Sequence, residues 1–116
     1  MRLVKENVVI AGVSWNERGV DARNFVLGQH QELQLRREPD NEWDGNAIAV
    51  IGIWSNSKGR SKAQLGYVPE DLAAEVALQY GHSVSLYAAL RAHSPPGSRI
   101  YPEIRIDIWV EDASRG

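Results

Sequence analysis

Cysteine is absent from this chain of 116 residues, which rules out a disulfide framework and any thiolate metal site. Basic residues are not in excess either: 13 Lys and Arg stand against 15 Asp and Glu, a formal net charge of -2. That balance excludes bulk, salt-driven coating of nucleic acid, whose practitioners are usually strongly basic, so any anion site must be local. Long apolar runs are missing too. No stretch approaches the roughly 20 residues a membrane helix needs, and the start Met1-Arg2-Leu3-Val4-Lys5-Glu6 lacks the apolar region of a secretory signal. The expectation is a soluble, cytoplasmic protein without membrane attachment. No glycine loop followed by Lys and Ser/Thr occurs, which excludes an ATPase motor within the chain. His30, His82 and His93 are isolated, with no His-x-x-x-His spacing, so neither zinc nor a His-based nucleophile has support.

What is present reads as one small β domain, with a core spanning about residues 7–111 and a frayed tail at 112–116. Val8 to Val13 reads as a first strand, followed by a polar connection from Ser14 to Arg23. Leu33 and Leu35 alternate with Gln34 and Arg36, which predicts a half-buried strand over 32–37. The β-branched run Ala47 to Trp54 predicts a buried central strand, joined by the polar hairpin Ser55 to Lys62 to a short strand Gln64 to Val68. Pro69 to Gly81 carries proline and acids in its first turn, Leu72, Val76 and Tyr80 at helical spacing, and a terminal glycine, which predicts a single amphipathic helix. Two longer strands, Ser83 to His93 and Ile100 to Val110, are separated by Ser94-Pro95-Pro96-Gly97-Ser98. About six short strands and one helix suggest a small antiparallel β-barrel.

The chemistry concentrates in Arg37-Glu38-Pro39-Asp40-Asn41-Glu42-Trp43-Asp44-Gly45-Asn46, between two core strands. Pro39 pushes Glu38 toward an extended conformation, while Asp, Asn and Gly turn the chain, so a rigid loop displays carboxylates, amides and an aromatic. Asp40, Glu42, Asp44 and Gly45 fall at positions 1, 3, 5 and 6 of a calcium-loop pattern, but position 12 falls on Ile51 where a bidentate Glu is required. A metal site is not expected, nor any other cofactor. Trp15 and Trp43 also lie in polar loops. Each is either a face on which a base stacks or a lid folded back on the domain. Asp44 and Asn41 are either ligand contacts or Asx-type turn acceptors, and both roles are compatible.

Three pieces of this sequence resemble the HIRAN domain family: Val9-Ile10-Ala11-Gly12-Val13, the segment Arg37 to Val50, and Leu65-Gly66-Tyr67-Val68-Pro69 followed by a helix. The middle piece, with its Arg-Glu-Pro-Asp-Asn, Trp-Asp and Asn-Ala-Ile-Ala-Val elements, is the most specific. The resemblance covers nearly the whole chain. It implies an OB-like or SH3-like barrel with a helix closing one end, no catalytic residues, and binding of single-stranded DNA at a free 3′ end. Carried over position by position, it implies that Asp44 accepts a hydrogen bond from the 3′-hydroxyl, Trp43 stacks on the terminal base, Asn41 bonds nearby atoms and Trp15 supplies the first loop's aromatic. Tyr67 and Tyr101 would complete the groove. Two positions depart from the family: Ser14 stands where a basic residue helps hold phosphate, and Glu70 where a lysine occurs. Lys58, Arg60 and Lys62 of the hairpin would compensate, as would Arg36, Arg37, Arg99 and Arg105. A helicase, translocase or nuclease partner in DNA repair or fork processing follows from the family's usual company. Two competing readings are a protein-interaction barrel that binds no nucleic acid and, ranked last, a small hydrolase using Glu38, Asp40, Glu42 and Asp44 with a recruited divalent ion.

Overall fold

The computed structural model describes residues 1–13, 18–95 and 97–111. The chain runs β1 (Arg2–Val9), α1 (Arg18–Leu27), β2 (Gln29–Arg37), β3 (Ile48–Asn56), β4 (Gly59–Tyr67), α2 (Glu70–Tyr80), β5 (Leu86–His93) and β6 (Ile104–Val110). Period-two patterning fixes which face of each strand turns inward. In β6, Ile104, Ile106, Ile108 and Val110 are buried, and Arg105, Asp107 and Trp109 between them are only partly covered. Full burial of one such aliphatic side chain contributes about 1.5–3 kcal/mol. β3 is covered on both faces from Ile48 to Ile51, as its unbroken apolar run predicts.

The strands form two three-stranded antiparallel sheets, ordered β1-β6-β5 and β2-β3-β4, with the core between them. The mainly β architecture of six strands is as expected, but no closed barrel is found among the described residues. On one side, among the described residues, the sheets are joined by a bridge between Ala11 and Tyr67, whose backbones exchange hydrogen bonds of 2.8 and 2.9 Å. On the other side β2 lies beside β5 without pairing, and the Arg37 guanidinium donates across the gap to the Val84 carbonyl at 3.1 Å. Gly66 is what permits the first seam to close, because a Cβ there would stand 2.4 Å from the Ala11 carbonyl oxygen. Tyr67 is thereby pinned at the point where the two sheets join.

A correction is the helix α1, which covers ground read as a connection. Gly19, Asp21 and Asn24 are poor helix formers and Val20 is β-branched, so local propensity argues against a helix. Tertiary packing overrides it: Gly19, Ala22, Phe25 and Val26 form a buried stripe, and Phe25 meets Trp54 edge-on with centroids 6.1 Å apart. Expected strand limits also move. β1 starts at Arg2 rather than Val8, as an edge strand whose two register shifts and left-handed Asn7 (φ 58°) break the alternation. β4 starts at Gly59 rather than Gln64, since its polar first half still pairs with β3. β5 and β6 begin later than expected, at Leu86 and Ile104. α2 keeps its expected limits, flanked by Pro69 and by Gly81, whose N–H donates to the Ala77 carbonyl at 2.9 Å. Residues 112–116, read as a tail, lie outside the described residues. Among the described residues, no helix is long and apolar enough to cross a membrane.

Candidate functional site

The β2–β3 loop is held by its own polar side chains. Its base closes through the Glu38 N–H to Ala47 carbonyl bond at 2.9 Å. Within it, Asn41 Oδ1 accepts from the backbone N–H groups of Trp43 (2.8 Å) and Asp44 (3.0 Å), and Asp44 Oδ1 accepts from the Asn46 N–H at 2.9 Å. These are Asx-type turns, the local role that Asn and Asp residues in such a sequence are suited to. Their effect is to freeze the backbone that carries Trp43. Asn46 Oδ1 lies 3.0 Å from His82 Nε2, which ties the loop to the end of α2.

Glu38 braces the loop from beneath. One carboxylate oxygen accepts from Tyr67 Oη at 2.7 Å and from Asn41 Nδ2 at 3.0 Å, and the other accepts from Arg36 at 3.0 Å. Burial pushes this carboxyl up, but the hydrogen bonds from Tyr67, Asn41 and Arg36, with the charge of Arg36, outweigh it and leave the pKa below its ordinary value. A carboxyl shifted down on folding contributes stability above its ordinary range, about 4.3, and that stability drains as pH falls through the lowered value. Wild-type protein should therefore lose thermal stability more steeply than Glu38→Gln as the buffer is taken below about pH 4. Equal slopes would show that the brace carries no weight.

Between this loop, the end of β4 and the starts of α1 and α2 lies an open groove of about 740 Å³. Arg18, Asn41, Trp43, Asp44, Tyr67 and Glu70 line it. The Trp43 indole is 88% exposed, so it is no lid over the core. Asp44 makes no ion pair among the described residues, and its Oδ2 has no hydrogen-bond partner among them. Glu42 also faces the groove, so among its described lining residues three carboxylates, Glu42, Asp44 and Glu70, stand against the guanidinium of Arg18. That guanidinium lies 4.9 Å from the centroid of the Tyr67 ring and donates to the Gly12 carbonyl at 3.2 Å.

Of the residues singled out in the sequence, the groove brings together Asn41, Trp43, Asp44 and Tyr67. Ser14 and Trp15 lie outside the described residues. Tyr101 is elsewhere: its ring packs on α1 where Gly19 leaves room, 5.9 Å from the Arg23 guanidinium. Lys58, Arg60 and Lys62 are also remote, because the hairpin tip and Tyr67 occupy opposite ends of β4, roughly 17 to 30 Å apart at about 3.3 Å per residue. Arg60 is committed there to Glu32 (2.7 Å), Ser55 and the His30 carbonyl. The other cations offered as compensation are engaged as well: Arg36 with Glu38, Arg37 with Val84, and Arg99 and Arg105 with Glu103. Arg18 was not anticipated, since it lies in what reads as a connection; its only sequence signal is being the first cation after the Val9–Val13 piece. Among the described residues, no group of three or more His, Cys, Asp or Glu side chains is placed to hold a metal ion.

The model of the HIRAN domain family matches residues 6–111 of the chain. No curated protein and no solved structure matches it.

Proposed function

This chain belongs to the HIRAN domain family, and we propose that it is a non-catalytic module that grips the free 3′ end of single-stranded DNA in the groove beside the β2–β3 loop. HIRAN domains are in general binding modules for such ends. The observation that carries the reading is the pairing of an indole 88% exposed with an adjacent carboxylate in one open groove. The terminal base stacks on Trp43, an interaction worth about 1–3 kcal/mol and indifferent to base identity. Asp44 Oδ2 accepts a hydrogen bond from the 3′-hydroxyl, whereas a 3′-phosphate at the same place is repelled by the carboxylate. Asn41 fixes the angle between these two groups by holding both of their backbone N–H groups. Glu38, through Tyr67 and Asn41, keeps the groove's wall and floor in register. The module acts by positioning, bringing a helicase, translocase or nuclease partner to an exposed end in repair or fork processing.

Titration of labelled single strands ending in 3′-hydroxyl or 3′-phosphate, and of a blunt duplex, tests this. The hydroxyl-ended strand should bind best, and equal affinity for all three rejects the reading. Asp44→Asn should keep binding the hydroxyl end but lose about ten-fold or more of its discrimination against the phosphate, as a charge-assisted hydrogen bond of about 1.5–3 kcal/mol implies. One observation favours a second reading. The excess of carboxylates around the groove suits a basic peptide, and a protein-interaction role would leave every DNA titration flat even at low salt.

A further inference from the structure

The groove as described holds a hydroxyl and a base better than it holds phosphate. Glu42, Asp44 and Glu70 repel a sugar–phosphate chain, and Arg18 is the one cation among its described lining residues. The remaining candidates are spent or distant: Arg36 pairs with Glu38, Arg37 bonds the Val84 carbonyl, and Lys58, Arg60 and Lys62 stand at the far end of β4. From this charge distribution we infer that Arg18 is the phosphate-binding residue of the groove and that it engages a single phosphodiester, so that the module reads a terminal dinucleotide rather than a tract. The inference rests on the end-binding reading above.

Arg18 is suited to the task by how it is held. A guanidinium offers five N–H donors, and one goes to the Gly12 carbonyl at 3.2 Å while the plane is steadied over the Tyr67 ring at 4.9 Å. The donors that bond no other described residue form the fork that matches phosphate oxygens. Tyr67 is in turn fixed by Glu38 and by the Ala11 bridge, so the cation is anchored to a residue held through both its side chain and its backbone. The carboxylates flanking it do more than oppose binding. A second phosphate drawn toward the groove meets Glu42 or Glu70 without a countercharge, which limits the footprint. Arg18 thus supplies the charge that Ser14 and Glu70 do not.

The test measures affinity for 5′-labelled, 3′-hydroxyl oligothymidylates, from dinucleotide to decamer, over a range of salt. Each phosphate neutralised on a single strand contributes a slope of about −0.7 in log affinity against log salt. Wild type should show a slope near −0.7 and reach nearly full affinity at the dinucleotide. Arg18→Ala should flatten the slope toward zero and weaken binding about ten-fold at low salt, and Arg18→Lys should restore the slope because it restores the charge. Unchanged thermal melting of Arg18→Ala separates this from a folding defect. If wild type prefers the hydroxyl end but Arg18→Ala keeps its affinity and slope, or if the wild-type slope corresponds to several phosphates, the inference falls and the end-binding reading stands. If wild type fails to bind or to discriminate the end, both fall.

Discussion

Trp43→Ala should weaken binding of a hydroxyl-ended single strand by about five- to 150-fold, the equivalent of about 1–3 kcal/mol for one stacked base, while leaving the unfolding midpoint unchanged. The two halves of this expectation have different causes. Binding suffers because a methyl group offers no flat face to a base. Stability does not, because the indole is 88% exposed and buries almost nothing in the core, and because the turn around it is held by backbone N–H groups that alanine keeps. Trp43→Phe should recover a good part of the affinity, since a smaller ring still stacks. Anisotropy titration with the labelled strand, paired with thermal melting, checks both. A variant that binds as tightly as wild type would remove the indole from the site.

The largest expected effect on stability comes from Phe25→Ala, at about 3–5 kcal/mol. Phe25 is fully buried, meets Trp54 edge-on and belongs to the buried stripe of α1, the helix that local propensity disfavours. Its removal takes away the main anchor of α1 and leaves a cavity between that helix and the β2-β3-β4 sheet. Against the about 5–15 kcal/mol that usually separates folded from unfolded domains, such a loss brings this one close to its threshold. Urea denaturation followed by tryptophan fluorescence measures it, and a cost below about 1 kcal/mol would contradict the packing described. Because Arg18 is the first residue of α1, this variant should also bind DNA more weakly, in proportion to the helix lost.

The readings that carried over from sequence to structure are those with a local physical cause. Alternation of Ile104, Ile106 and Ile108 with charged residues marks one buried strand face, and the proline, acids and final glycine around residues 69–81 mark a helix with both its ends. The turn-forming residues of the Arg37–Asn46 segment mark a loop, and Asn41 and Asp44 do bend the backbone there. The readings that moved depended on partners distant in the chain. α1 forms despite its glycine, aspartate and asparagine because Phe25 finds Trp54. The first strand, read from Val8, starts at Arg2, because an edge strand with bulges shows no period to mark its beginning.

The sequence by itself determined a cysteine-free β-rich domain, its family, and a rigid loop presenting Trp43 beside Asp44, since period, turn chemistry and motif are properties of neighbouring residues. Only the tertiary structure decided that the sheets stay a pair joined at Ala11 and Tyr67, that Tyr101 belongs to α1, that the hairpin cations are remote, and that Arg18 stands over Tyr67 in an otherwise acidic groove. The physical reason is that electrostatic partnership depends on distance in space, and charges far apart in sequence are ranked only once burial of the core has set where each strand ends.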